Sequence, residues 1–318
     1  MDAAELMRQR WRGQRGRLEV WYTTVTDPAT GTGLWLHHEL VAPQRGAAAY
    51  GHGWAAVFPP GAPPRLARFG PLPWPATPRR RADEDIFAVD GVTLTPNRLA
   101  GKAGELAWDL VARTGGSPLY TFPRWAWRRE LLPAAQIVPM PTAAFAGTVH
   151  IGDAGLVLTD APGATGRIYG HGNARRWGWL HADLGGGDVL EVVAAVSTRP
   201  GLRLLPPLPM VRLRLRGVEW PPGDPLLAAF GFHARLGLPE WTVRGRSGDM
   251  RLRVSVTLPP ERTVAVDYVD PDGEPATCHN SEAASATIVL ERIEGRHWLL
   301  ERRWELDATA HAEVGSRP

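Results

Sequence analysis

Short runs of β-branched, aromatic and aliphatic residues, each closed by a turn rich in Gly, Pro or Asp, recur from one end of this chain to the other. Such spacing leaves little room for long helices and points to a β-sandwich or barrel. Residues 18–26 (LEVWYTTVT) stop at Asp27-Pro28; beyond Gly31 and Gly33 the run 34–41 returns, and the two read as a hairpin. Alternate residues of a strand point to opposite sides. Trp35, His37 and Glu39 therefore share one face of the second strand, and Leu36, His38 and Leu40 the other. Residues 50–58 make a third strand that ends at Pro59-Pro60-Gly61, and residues 59–83, heavy in Pro and Arg, read as a long surface loop.

The second half repeats the theme. Runs 147–151 and 156–160 form a hairpin across Gly152-Asp153, and runs 175–184 and 189–197 are joined by Gly185-Gly186-Gly187. In 211–216 the residues Arg212, Arg214 and Arg216 alternate outward against Val211, Leu213 and Leu215; in 251–258, Leu252, Val254 and Val256 point inward. Runs 287–293 and 297–306 close the chain as a hairpin around Glu294-Gly295. Helix is expected only in 3–11 and 105–111. A chain of 318 residues exceeds what one core usually serves. The Pro139, Pro141 and Ala143-Ala144 stretch marks the boundary, giving a basic arm (1–17), an N-terminal lobe (18–144) and a C-terminal lobe (145–318). Tyr50-Gly51-His52-Gly53 recurs as Tyr169-Gly170-His171-Gly172, which suggests that the two lobes are alike.

Several function classes are disfavoured. No run approaches the roughly 20 apolar residues of a membrane span. The charged N-terminus lacks the apolar stretch of a secretory signal, so a cytoplasmic location is expected. The lone Cys278 permits no internal disulfide. A net charge of +3 gives no reason to expect nucleic acid binding. Arg8, Arg10, Arg12, Arg15 and Arg17 form the one basic cluster, read either as a solvated arm or as a transient contact with an anionic membrane surface. No Gly-rich dinucleotide fingerprint, phosphate loop, nucleophile elbow or His-Glu-x-x-His pattern occurs, and no cofactor is expected. No metal is expected either, since His37, His38 and Glu39 are strand neighbours that point apart.

Residues 155–184 (GLVLTDAPGATGRIYGHGNARRWGWLHADL) carry a more specific pattern: Asp160-Ala161-Pro162, then Tyr169, Asn173 and Trp177-Gly178-Trp179. This resembles the tocopherol cyclase and carotenoid hydratase (hydroxyneurosporene synthase) superfamily of two-lobed lipocalin-like proteins. Glu19-Val20-Trp21-Tyr22, Asp27-Pro28 and Gly33-Leu34-Trp35 look like the opening strands of its first lobe, and Gly147-Thr148-Val149 like the start of its second. Many members carry Glu-Lys before the Asn; this chain has His171-Gly172 there, with Ala174 after it. The resemblance implies an all-β fold of two tandem lipocalin-like (calycin-type) antiparallel β-barrels or half-barrels with few short helices. The activities it implies are isoprenoid cyclisation, water addition to an alkene, or binding alone.

The strand at 175–184 places Trp177, Trp179, His181 and Asp183 on one face, a wall of two flat aromatics and two titratable groups. Trp faces stabilise a carbocation, and a buried acid kept neutral protonates an alkene. Asp183 or His181 is the expected proton donor; the alternative is that they satisfy each other near the strand end. Glu282, in the polar cluster 278–282, is a further acid or base. Tyr169, His171 and Asn173 at a barrel mouth, with Trp35, His37 and Tyr22 of the first lobe, are the expected ligand contacts. The chain has 14 Trp, in keeping with a broad apolar lining. Three readings remain: a cofactor-independent cyclase, hydratase or isomerase acting on a large apolar (isoprenoid or polyketide-like) molecule; a carrier of a lipid-like ligand; or a lipocalin-type scaffold for protein contacts.

Overall fold

The computed structural model describes residues 2–74 and 86–318. Two antiparallel ten-stranded sheets account for most of it. The first contains β1 (Arg17–Thr26), β2 (Gly33–Ala42), β3 (Tyr50–Phe58), β4 (Arg65–Pro73), β5 (Phe87–Val89), β6 (Val92–Leu94), β7 (Arg98–Ala103), β8 (Leu106–Thr114), β9 (Ala134–Ile151) and β10 (Ala154–Gly170), in the order β4-β3-β2-β1-β10-β9-β8-β7-β6-β5. The second contains β11 (Arg176–Gly185), β12 (Asp188–Val196), β13 (Leu208–Leu215), β14 (Val218–Trp220), β15 (Phe232–Arg235), β16 (Glu240–Ser247), β17 (Met250–Thr257), β18 (Val264–Val269), β19 (Pro275–Glu294) and β20 (His297–Ser316). Its path runs β14-β13-β12-β11-β20-β19-β17-β16-β15, with β18 also paired to β19. Three short helices, α1 (Ala3–Met7), α2 (Arg124–Arg129) and α3 (Pro225–Ala229), complete the fold. No helix among the described residues is long and apolar enough to cross a membrane.

Each sheet curls around its own aliphatic cluster. Leu34, Leu36, Leu40, Val57, Phe87, Leu110 and Phe145 fill the first. Leu180, Leu190, Val192, Leu213, Val254, Ile288 and Ala312 fill the second. The chain divides into two compact units: Met1–Leu119 with Glu130–Gly172 and Val269–Glu274, and Tyr120–Arg129 with Asn173–Tyr268 and Pro275–Pro318. The change of lobe therefore falls at 172/173, not at 144/145. Residues 144 and 145 lie inside β9, whose ladder with β10, and that of β10 with β1, holds both in the first sheet.

Three other expectations need correcting. Residues 106–111 are strand, not helix, with Glu105 in the turn before them: in β8, Leu106, Trp108, Leu110 and Ala112 are buried while Asp109, Val111 and Arg113 are exposed, a period of two that overrides local helix propensity. Part of the 59–83 loop is β4, an edge strand on which Pro71 and Pro73 are tolerated because one side needs no ladder donors; residues 75–83 of that loop lie outside the described residues. Arg212 and Arg214 are not outward in the sense of solvent-facing. They are only 5% and 6% exposed, Arg212 donating to the carbonyls of Tyr120 (3.2 Å), Gly223 (2.8 Å) and Pro221, and Arg214 to Glu219 (3.0 Å).

The N-terminal segment is docked rather than a free arm. Leu6 and Met7 are buried, and Trp21 Nε1 donates to the Met7 carbonyl at 2.8 Å. The Glu19 carboxylate accepts from the backbone N–H of Arg10 (2.7 Å) and of Trp11 (2.8 Å), and pairs with the buried Arg167 guanidinium. Arg167 in turn donates to the carbonyls of Leu6 and Arg8 and lies over the Trp21 ring. Burial brings Arg167 down to about 10, still far above neutral pH. Two of the five clustered arginines, Arg10 and Arg17, are committed to Glu130.

Candidate active site

The face of β11 opposite the aliphatic core carries Trp177, Trp179 and His181, all buried, as alternation requires. Pairing decides what joins them. His181 lies across from Glu191 of β12 and His311 of β20; Trp179 lies across from Glu313, which lies across from Asn280 of β19. One extra residue in β19 between Ser281 and Ala284 makes a β-bulge at Glu282, whose carboxyl reaches His311 Nδ1 at 2.6 Å. Cys278 Sγ donates to Glu313 Oε2 at 3.4 Å, and Trp177 Nε1 to Glu313 Oε1 at 2.8 Å. The result is a patch of three carboxyls, two imidazoles, an amide and two indoles, all buried except the partly buried Glu313, on a sheet whose other face is aliphatic.

The protonation states follow from the partners. Glu191 accepts from Trp179 Nε1 at 3.0 Å, and its other oxygen meets His181 Nδ1 at 2.6 Å. A carboxylate accepting there makes Nδ1 the N–H donor and leaves Nε2 as the basic atom of the ring. That Nε2 is buried and has no hydrogen-bond partner among the described residues. Burial lowers His311 to about 3, with His181 adding to the effect. Burial also pushes the Glu282 carboxyl well above the usual range, against smaller pulls from Asn280 and His181. Burial thus favours the protonated carboxyl for Glu282 and the neutral ring for His311, whose Nδ1 lies 2.6 Å from it. Burial raises Glu313 to about 7, opposed by the Trp177 and Cys278 hydrogen bonds and reinforced by Glu282. The Cys278 thiol, buried beside Glu313, is held well above its ordinary value and is no thiolate nucleophile.

Glu313 makes the fold sensitive to pH. In the unfolded chain an ordinary glutamate has lost its proton above about 4.5; in the folded chain it holds on to about 7. The folded state is thus favoured by this group below the first value, and that contribution is lost as pH rises through the second, on the order of 3 kcal/mol in full. Glu313→Gln keeps an acceptor for Trp177 and removes the ionisation. Between pH 4.5 and about 7, urea midpoints are expected to fall with pH more steeply in the wild type than in the variant, where Glu282 still contributes; parallel slopes would refute the assignment.

Gly315, on β20 across from Trp177, is the slot for that ring. A Cβ there would sit 2.0 Å from Trp177 Cζ2 and 2.2 Å from Cε2. A buried indole flanked by two strands has nowhere to go. Gly315→Ala is therefore expected to lower stability by about 1–3 kcal/mol, as overpacking does, and to break the Trp177–Glu313 bond; an unchanged unfolding midpoint would show that the ring moves freely.

The residues expected from the sequence do not all meet. Trp177, Trp179, His181 and Glu282 come together. Asp183 shares their face but lies half-buried at its rim, where its carboxylate accepts the Gly185 N–H at 2.8 Å in the turn to β12. In the first unit Trp35, His37 and Tyr22 share a buried face of β1 and β2 with Glu39, His52 and Trp54. His37 stacks on Trp54 at 3.9 Å and bonds Glu39 through Nε2 at 3.0 Å, while Tyr22 bonds Gln136. Burial works against ionising Glu39, but His52 and His37 together hold it down to about 2. Tyr169 is on the opposite face, across from Glu19 and under the Arg10 guanidinium. His171 is exposed and meets Arg17 through Nδ1 at 2.9 Å, and the Asn173 carbonyl accepts from Arg317. Glu191, His311, Glu313 and Asn280 were not singled out from the sequence; the alternation of His311 and Glu313 with Ala310, Ala312 and Val314 was the available signal.

Two curled, near-closed antiparallel sheets, one bearing a buried face of acids, imidazoles and indoles, define a two-lobed lipocalin-like protein of cyclase or hydratase type in its fold. Residues 102–316, more than half of the chain, match the tocopherol cyclase-like family, and the chain belongs to that family. It is 49% identical over 308 residues to the uncharacterized proteins MT0513 and Rv0493c of Mycobacterium tuberculosis strains CDC 1551 and H37Rv, covering 97% of this chain and 89% of each relative. The AttH-type protein NE1406 of Nitrosomonas europaea superposes with a TM-score of 0.57 at 13% identity, covering 94% of this chain and 92% of that one. Kievitone hydratase of Nectria haematococca superposes with a TM-score of 0.54 at 10% identity, covering 97% and 91%. At these identities the two structures speak for the fold.

Proposed function

We propose that the chain is a cofactor-independent acid–base catalyst, a hydratase, cyclase or isomerase, acting on a neutral, unsaturated apolar molecule at the buried face of β11, β12, β19 and β20. The observation that carries this reading is a pair of carboxyls, Glu282 fully buried and Glu313 partly so, held toward the protonated form beside the buried Trp177 and Trp179. A neutral carboxylic acid in an apolar aromatic setting is suited to protonating an alkene, and indole faces stabilise the cation that forms. In the step proposed, the acid adds its proton to one alkene carbon. The oxygen of water, or of a hydroxyl in the substrate itself, bonds to the other carbon and passes its proton to His181 Nε2. Water as the nucleophile gives hydration, an internal hydroxyl gives ring closure, and loss of a neighbouring C–H proton gives isomerisation. Glu191 is a positioning residue that fixes the His181 tautomer.

The family and a neighbour that is by name a hydratase support the same class. The carrier reading is separated from it by experiment. Organic extraction of the purified protein, followed by mass spectrometry, identifies the apolar compound it holds; incubation of that compound with fresh protein in D₂O should place one non-exchangeable deuterium on carbon in the product. A compound returned unlabelled and unchanged would favour a carrier.

A further inference from the structure

The loop between β12 and β13 is an outlier on the surface of the second unit. Leu202, Leu204 and Leu205 are 44%, 84% and 56% exposed. They sit on a single helical turn whose backbone is already bonded internally: Leu202 and Arg203 donate to the Arg199 carbonyl (3.1 and 3.2 Å) and Leu205 to that of Leu202 (3.1 Å). Arg199 and Arg203 are exposed among them, and Pro200 and Pro206 flank the turn. No acidic residue occurs anywhere between Glu191 and Glu219. Protruding leucines interleaved with unopposed arginines are costly in water and match an anionic bilayer, whose acyl boundary takes the leucines and whose headgroups take the guanidiniums. Internal backbone bonds remove much of the cost of placing such a turn in the interface.

Position adds to the argument. The loop leaves β12 at Val196, one residue beyond Ala195, which pairs with Trp177 at the end of the site face. We infer that the turn Arg199–Leu205 is a docking point for an anionic lipid surface, set beside the end of the sheet where an apolar substrate would reach the Trp-bearing face. Of the N-terminal arginines expected at a membrane, Arg10 and Arg17 are paired with Glu130, while Arg8, Arg12 and Arg15 are exposed, so the test compares both sites.

The test is co-sedimentation of the full chain with vesicles of phosphatidylglycerol and phosphatidylcholine, against phosphatidylcholine alone. Binding is expected on the anionic vesicles only, and to fall at least about tenfold in Leu204→Glu/Leu205→Glu, and with rising salt or in Arg199→Glu/Arg203→Glu. Arg12→Glu/Arg15→Glu should leave it unchanged. A dye on Leu204→Cys, with Cys278 buried, should shift to the blue on the anionic vesicles; circular dichroism checks that each variant is folded. Absence of binding by the wild type, binding insensitive to the loop variants, or an oligomer of the free protein that Leu204→Glu/Leu205→Glu dissociates would each overturn the inference. None of these readouts depends on turnover, so the docking and the chemistry fail separately.

Discussion

Glu282→Gln is expected to cut turnover of the extracted compound by about 10²- to 10⁴-fold, the range that a positioned general acid contributes. The amide is the same size as the acid, retains an N–H to offer His311 Nδ1, and cannot release a proton to carbon. Binding of the compound should therefore survive while deuterium incorporation is lost, a fall in kcat rather than a rise in KM. Glu282 is the residue to test because burial pushes its carboxyl well up and brings His311, 2.6 Å away, down to about 3, which favours the proton on the carboxyl. Asp183→Asn serves as the contrast. Its side chain caps the turn at Gly185, an Asn accepts the same N–H, and activity should change by no more than a few-fold. If Asp183→Asn were the inactive variant and Glu282→Gln the active one, the acid would lie at the strand end and the reading of the buried patch would be wrong.

Arg167→Met is expected to destabilise the first unit by about 3–5 kcal/mol, the cost of stranding a buried charge. Glu19 and Arg167 are both fully buried, and Glu19 would keep the N–H groups of Arg10 and Trp11 and the weaker pull of the Arg10 charge to offset its ionisation. The carbonyls of Leu6 and Arg8 would lose their donor as well. The N-terminal segment should feel the loss first, so hydrogen exchange at the amides of Arg10 and Trp11 should rise even where the fold survives. The double variant Glu19→Gln/Arg167→Met, which leaves no unpaired charge, is expected to recover a large part of the stability. Equal loss in the single and double variants would mean that packing over Trp21, rather than charge, is what Arg167 contributes.

Both predictions turn on residues that stand differently with respect to the sequence. Period-two alternation and turn residues locate β1, β2, β3, β11, β12 and β17 within a residue or so, because a strand with one aliphatic face must alternate wherever it lies. The same pattern assigns Trp177, Trp179 and His181 to one face, and Glu282 stands out as an acid in a polar cluster. The family resemblance on 155–184 agrees with the fold and the family. Two structural facts were not legible. The second half of β20, with His311 and Glu313 among alanines, is poor in the β-branched and aromatic types that mark a strand, so its alternation is easily missed; it is strand because twenty residues of β19 lie beside it. The lobe boundary was masked for a related reason. The Pro- and Ala-rich stretch around 139–144 reads as a linker, yet β10 on one side and β8 on the other hold it in the sheet.

By itself, then, the sequence determined the class of fold, the faces of its best strands and some of the polar residues on them, since those depend on neighbours two apart in the chain. Which of them meet was decided only by tertiary structure. Register across β12, β11, β20 and β19 brings Glu191, His181, His311 and Glu282 from four separate strands onto one buried face, and burial there, a property of the folded molecule alone, pushes Glu282 toward its protonated form and His311 toward its neutral one.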